Sequence, residues 1–260
     1  MRPPLPLAAL LIAALLSACG SGPSNSPNIP GLPTQFSDRA PHPWGRQSPS
    51  DYPVHGIDVS RFQNQIDWPT VARSGAAFAF IKATEGGDRV DPMYKDNARA
   101  ARRAGIPHGP YHFYYHCRPA SEQAAWFIAN VPREKGALPP VLDIEWTPTS
   151  PTCRIRPDAA IVRAEMATFL RIVGAHYGQR PVIYSTLDFF HDNELWRLGV
   201  QDYWIRSVAA HPSETYPGHA WTFWQYTGTG IVPGITGDAD INAFAGSSAA
   251  WADWVKRRQQ

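Results

Sequence analysis

The sequence predicts an α/β fold, a modified TIM-like β/α barrel with eight strands and helices mainly between the first five. Three observations carry that expectation. From Val54 onward, short β-rich runs alternate with helical stretches. Several of the runs are continuously apolar, as parallel strands covered on both faces are. After residue 187 the helical signal weakens, and the gaps between later strands carry Gly, Pro and His instead.

In chain order, residues 1–18 come first. Arg2 places a positive charge ahead of the apolar run Leu5 to Leu16, which is shorter than the roughly 20 residues a membrane-spanning helix needs. The segment reads as an export signal. Leu16-Ser17-Ala18-Cys19 resembles the lipobox of bacterial lipoproteins, which implies cleavage before Cys19 and a lipid on its sulfur. With Gly20 next, the expected location is the cell envelope, at the outer membrane in an organism that has one. Residues 19–53 are rich in Ser, Asn, Gly and Pro, and prolines at 23, 27, 30, 33, 41, 43, 49 and 53 deny them a helix or a central strand. They are expected as an extended tether, leaving 54–260 as the folded domain.

The candidate strands are Gly56–Ser60, Phe78–Thr84, Gly109–Tyr115, Pro140–Trp146, Pro181–Thr186, Tyr203–Val208, Trp221–Tyr226 and Asp240–Phe244. Between the early ones lie helix signals. Asp91-Pro92 reads as a cap followed by a first-turn proline, with Gly105 closing that helix. Ser121 is expected to cap a second, and Pro157 to Tyr177 forms a third, ended by Gly178. Trp68 and Trp126, on helical segments, are assigned to packing.

Composition narrows the function. With 43% hydrophobic residues among 260, the chain can build a core, and three cysteines are too few for a disulfide scaffold. A net charge of +2 leaves no nucleic-acid footprint. Twelve per cent aromatic residues is enough to line a cleft as well as a core. A monomer is expected.

Four acids stand among apolar neighbours, where an unpaired charge is costly: Asp58, Asp143, Glu145 and Asp240. Asp143 and Glu145 are two apart on a candidate strand, so both face the same side at about 6.6 Å along the chain. Two carboxylates that close in a poorly solvated site cannot both ionise, so one becomes a general acid beside an anion. Glycosidic bond cleavage uses that pairing. The four acids could instead cradle a divalent cation. No His-x-His motif accompanies them, and neither a metal nor a cofactor is expected; His112 reads as a structural barrel histidine.

Seven motifs then follow in order: Gly56-Ile57-Asp58-Val59-Ser60, Ile81-Lys82-Ala83-Thr84-Glu85-Gly86, Tyr111-His112-Phe113, Leu142-Asp143-Ile144-Glu145, Ile183-Tyr184-Ser185, Trp224-Gln225-Tyr226-Thr227 and Asp240-Ile241-Asn242-Ala243-Phe244. Over about residues 54–246 the chain resembles the glycoside hydrolase family 25 lysozymes, the N-acetylmuramidases. The resemblance implies hydrolysis of the β-1,4 bond between N-acetylmuramic acid and N-acetylglucosamine in peptidoglycan. It implies Glu145 as general acid, Asp143 assisting the substrate's N-acetyl group, and Asp58 and Asp240 completing the acidic site. Lys82, Phe113, Trp146, Tyr184 and Trp204 are the expected substrate contacts. Arg206, in Trp204-Ile205-Arg206, departs from the small residue many relatives carry there. Two other readings stay open: a catalytically silent peptidoglycan-binding lipoprotein, and a glycosidase of another amino-sugar polymer.

Cys117 follows the third candidate strand and Cys153 the fourth. In an exported protein the even pair left after Cys19 favours a disulfide between them, at the rim of the expected groove.

Overall fold

The computed structural model describes Leu32 and residues 34–259. The expected export signal and the lipidated Cys19 lie outside the described residues.

Among the described residues ten strands form: β1 (Ser37–Asp38), β2 (His55–Val59), β3 (Phe78–Glu85), β4 (Arg89–Val90), β5 (His108–Phe113), β6 (Val141–Asp143), β7 (Val182–Ser185), β8 (Tyr203–Arg206), β9 (Phe223–Ile231) and β10 (Ala239–Phe244). Eight of them close a barrel in the order β9-β10-β2-β3-β5-β6-β7-β8, with β8 returning to β9. These eight are the runs expected from sequence. From β2 round to β9 every neighbour is parallel. β10 alone is reversed, antiparallel to both β9 and β2.

Helices α1 (Trp68–Arg73), α2 (Tyr94–Arg103), α3 (Ala120–Asn130) and α4 (Ala159–Tyr177) follow β2, β3, β5 and β6 on the outside. Among the described residues, beyond β7 only the short α5 (Leu187–Asp192), a 3-10 turn at Leu195–Leu198 and the single turn α6 (Pro212–Thr215) occur before β9, and no helix separates β9 from β10. Gly178 closes α4 in the left-handed conformation, at φ 68°, which costs glycine least.

Three local expectations change. Asp91 does not cap α2 directly. Its carboxylate accepts from Met93 N and Arg61 N, both at 2.9 Å, and so ties two loops together ahead of a helix that starts at Tyr94. Ser121 lies inside α3; the Ala120 N–H is met instead by Glu165 from α4, at 2.6 Å. An acceptor 45 residues away in sequence is invisible to capping rules. The helix expected from Pro157 starts two residues later, at Ala159.

The barrel fills with a period of two. Phe78, Phe80, Tyr111, Val141, Val182, Tyr184, Trp204, Phe223 and Phe244 form the interior cluster. Their neighbours Ile57, Ala79, Ile81, Leu142, Ile183, Ile205, Trp224 and Ile241 belong to the outer layer under the helices. One end is stoppered by α7 (Ser248–Arg258), a helix that the sequence reading did not anticipate. Ser247 caps it by accepting from Ala250 N, and Trp251 and Trp254 meet the rings of Phe78, Phe223 and Phe244 at 5.1–6.3 Å. The other end, where the parallel strands finish, is open.

The stretch 34–53, expected as tether, lies against the barrel. β1 adds an antiparallel strand to the far end of β9, with Ser37 opposite Ile231. Phe36 is 1% exposed, Trp44 meets Trp224 edge-on at 5.2 Å, and the Tyr52 hydroxyl bonds His211 Nε2 at 2.8 Å. Proline forbids central strands but permits edge pairing, and three aromatic anchors supply the burial. Phe36→Ala is therefore expected to lower unfolding free energy in urea by about 3 kcal/mol or more. A change near zero would return this segment to the status of a tether.

Candidate active site

The open end of the barrel holds a cavity of about 440 Å³. Each of the eight barrel strands, or the residues just past it, sends a side chain there: Asp58 from β2, Lys82 from β3, Tyr111 and Phe113 from β5, Asp143 and Glu145 from β6, Tyr184 from β7, Trp204 and Arg206 from β8, Gln225 from β9 and Asp240 from β10. The parity that sends Phe78 and Phe80 into the core sends Lys82 to its upper surface. Asp240 reaches the same end because β10 runs backwards: its first turns pair with the last of β2, with Asp240 opposite Asp58.

The floor is aromatic. Trp204 is 2% exposed, stacks on Phe80 at 4.7 Å and meets Tyr184 at 4.6 Å. Its indole N–H donates to Asn242 Oδ1 at 2.7 Å, which orients the Asn242 amide to donate to Asp58 Oδ2 at 2.8 Å. A second relay is parallel to the first. The Tyr184 hydroxyl donates to Gln225 Oε1 at 2.9 Å, and Gln225 Nε2 donates to Asp58 Oδ2 at 3.0 Å. Asp58 is thus held by two amides that are themselves held by the floor.

Burial shifts every acid in the same direction. It pushes Asp58 up to about 6, against the pull of the Asn242 and Gln225 hydrogen bonds and of Arg206. Burial raises Glu145 to about 7, with Asp188 and Asp240 adding to the rise while Arg206 and Lys82 oppose it. Asp240 rises to about 8 through burial and the charge of Asp58. Asp143 is held well above the carboxylate range by burial and by Glu145, with Lys82 opposing. Asp143 Oδ1 is buried and has no hydrogen-bond partner among the described residues. Leaving such an atom unmet costs about 1–3 kcal/mol, so it is an open position for a donor on a ligand.

Most of the expected contacts meet here, but not all in the expected way. Lys82 pairs with Glu85 at 2.6 Å and sits 4.7 Å above the Phe113 ring, which fixes its approach to Asp143. Trp204 is a buried floor and not an exposed platform. Trp146 does not line the cavity: its ring lies between Phe189 and His116, and its N–H donates to Asp192 at 2.8 Å. Trp146 shares the outer face with Leu142 and Ile144, whereas Asp143 and Glu145 alternate with them into the cavity. His112 faces outward too, bonded to Thr84 and Gln123.

Seven lining residues were not singled out as site residues: Val59, Ser60, Phe62, Gln63, Tyr111, Thr186 and Gln225. Phe62 stands at the mouth and is 69% exposed. Asn242, below the cavity, also escaped notice, although it is two residues from Asp240 and the strand period places both on one face.

Cys117 and Cys153 are joined by a disulfide with Cα atoms 5.7 Å apart, linking the loops after β5 and β6.

The comparisons with known proteins agree with this geometry. The pattern of the Glycosyl hydrolases family 25 matches residues 57–235. An uncharacterized protein of Escherichia coli (strain K12), YegX, is 37% identical over 219 residues, covering 80% of this chain and 76% of its own. Lysozyme M1 of Streptomyces globisporus is 36% identical over 211 residues, 75% of this chain and 69% of its own. The solved structure of a family 25 glycosyl hydrolase from Bacillus anthracis superposes with a TM-score of 0.73 at 32% identity, over 84% of this chain and 98% of that one. The chain belongs to glycosyl hydrolase family 25. It is an enzyme, a glycoside hydrolase of the lysozyme type.

The raised acids make the fold sensitive to pH. Asp240 titrates near 8 when folded and near 3.8 when free, so between those values the folded state holds a proton that the unfolded chain has lost. Stability from this group is complete below about 3.8 and is lost as the pH rises through about 8. Asp240→Asn is expected to raise Tm by about 3 °C or more at pH ~8, and by under ~1 °C at pH ~4, in scanning calorimetry. Breaking the disulfide by Cys117→Ser is expected to cost about 3–4 kcal/mol, measured by denaturant unfolding.

Proposed function

We propose that the protein hydrolyses peptidoglycan at the β-1,4 bond between N-acetylmuramic acid and N-acetylglucosamine, with Glu145 as the general acid. The observation that carries this reading is the pair formed by Glu145 and Asp143, one half-buried with its pKa near 7, the other buried with an unmet oxygen. A carboxyl group titrating near neutrality is protonated often enough to donate and acidic enough to do so readily. Glu145 protonates the leaving glycosidic oxygen. Burial favours the neutral form of both carboxyls; in the substrate complex Lys82 and the bound acetamido N–H favour the anion on Asp143, and Glu145 keeps the proton to be donated.

Asp143 Oδ1 is then placed to accept the N–H of the substrate's 2-acetamido group. That bond turns the acetamido oxygen toward the anomeric carbon, which it attacks as the leaving group departs. Glu145, now a carboxylate, takes a proton from the water that opens the cyclic intermediate, and retention of configuration results. Asp58 and Asp240 keep the wall above the aromatic floor polar and hold further protons. Tyr184, Phe113 and Lys82 contact the sugar, and Phe62 at the mouth offers a ring face to a neighbouring unit.

Export and lipidation at Cys19 belong to the same reading and rest on residues 2–19 of the sequence. The tether would then hold the barrel beside its polymer. Among the described residues no helix is long and apolar enough to cross a membrane.

Purified peptidoglycan digested with the enzyme should yield new reducing muramic acid ends. New glucosamine ends would point to another specificity, and cell-wall binding without products to a silent binding protein. Glu145→Gln is expected to reduce cleavage by at least ~1,000-fold while binding persists. The wild-type rate should fall as the pH rises through about 7, the value at which Glu145 loses its proton. NMR of the first-formed anomer should show retention; inversion would exclude the acetamido route.

A further inference from the structure

Arg206 has a second neighbourhood. A groove of about 470 Å³ adjoins the catalytic cavity and shares Arg206 and Thr186 with it. Leu187, Val208, Ala209 and Ala210 make its exposed surface mostly apolar, and Asp188, His191, Ser207 and Thr215 complete the wall. None of the ion pairs among the described residues uses Arg206. Its position is nevertheless fixed. The Tyr216 hydroxyl donates to its backbone carbonyl at 2.9 Å, and Arg206 pairs with Gln225 across β8 and β9. Gly228 leaves the space above them bare: a Cβ there would lie 3.1 Å from Asp240 Oδ1 and 3.9 Å from Arg206 Nη2. A free guanidinium therefore stands on the seam between an acidic cavity and an apolar groove.

We propose that Arg206 and this groove hold the 3-O-lactyl substituent of the muramic acid residue, and so select that sugar over N-acetylglucosamine. The inference rests on the peptidoglycan reading given above. A lactyl ether carries a methyl group and a carboxyl group on the same carbon, one suited to an aliphatic wall and the other to a donor fork. Arg206 supplies N–H donors in a rigid plane, matched to a carboxylate when the sugar is peptide-free and to an amide oxygen when a peptide stem is attached. In both forms the shared element is a carbonyl oxygen beside a methyl group. N-acetylglucosamine has only a hydroxyl at that position, which leaves the methyl-sized space unfilled and the guanidinium without its partner. The groove continues past Arg206 along Val208, Ala209 and Ala210, a path for the first stem residue. Arg206 also opposes the rise of Glu145, Asp58 and Asp240, so its effect on the acids has to be separated from its effect on the ligand.

The test is binding to Glu145→Gln protein by NMR titration, with N-acetylmuramic acid, N-acetylmuramyl-L-alanine and N-acetylglucosamine as probes. Both muramyl compounds are expected to bind about tenfold tighter than N-acetylglucosamine, and adding Arg206→Met should erase that advantage. Arg206→Lys, which keeps the charge but not the fork, should retain part of the preference for the free acid and lose it for the amide. A muramyl preference that is absent at the outset, or that survives Arg206→Met, overturns the proposal. An equal loss for all three probes does so as well, because it would place Arg206 in support of the acids alone. Reducing-end analysis of wild-type digests runs alongside. Absence of muramic acid ends there would defeat the cleavage reading, whereas the lactyl pocket stands or falls on the titration.

Discussion

The desolvation of four carboxylates over an aromatic-filled barrel is the constraint on which the rest of the structure depends. Asp58 and Asp143 are buried, and Glu145 and Asp240 are partly so, above rings that offer no countercharge. Such a cluster survives only if protons, amide donors and nearby cations share the cost. The protein uses all three. Asn242 and Gln225 hold Asp58, Arg206 and Lys82 face the cluster, and the raised pKa values mean that protons remain where charges cannot. The stability lost at neutral pH is the counterpart of the acidity needed for the proposed reaction.

That constraint explains features distant from the cavity. The floor must be rigid for the amides to point correctly, and Trp204 provides this by stacking on Phe80 while orienting Asn242. Phe80 in turn meets Phe78 and Phe223, which rest on the tryptophans of α7. One continuous column of rings thus runs from the stopper helix to the acids. The outer wall is braced separately, by Phe36, Trp44 and Tyr52 from the segment ahead of β2.

Much of this was legible before any coordinates. The eight strands could be found because each is a short apolar run between turn signals, and the acids stood out because charge within such runs is expensive. Other parts were not. The cap on α3 comes from Glu165, far along the chain, and no local pattern records it. The tether was extended too far because its prolines obscured three aromatic anchors, two of which meet partners more than 150 residues away, Trp224 for Trp44 and His211 for Tyr52. Trp146 looked like a sugar platform from its nearness to Glu145, yet it falls on the outer face with Leu142 and Ile144 and packs on Phe189 and His116.

The sequence by itself determined which residues alternate inward, because a strand repeats every two residues and the apolar positions declare the buried faces. It thereby placed Asp58 with Gly56 and Asp143 with Val141 on interior faces, and it set Asp240 and Asn242 on one side of their strand. Only the tertiary structure decided that Asp240 meets Asp58, because that pairing requires β10 to run opposite to its neighbours and a one-chain pattern carries no strand direction. The same holds for Arg206. Its parity was readable, but its place between the acid cavity and an aliphatic groove arises where the loops after β7 and β8 converge. Convergence of that kind depends on how the barrel closes, which no single segment encodes.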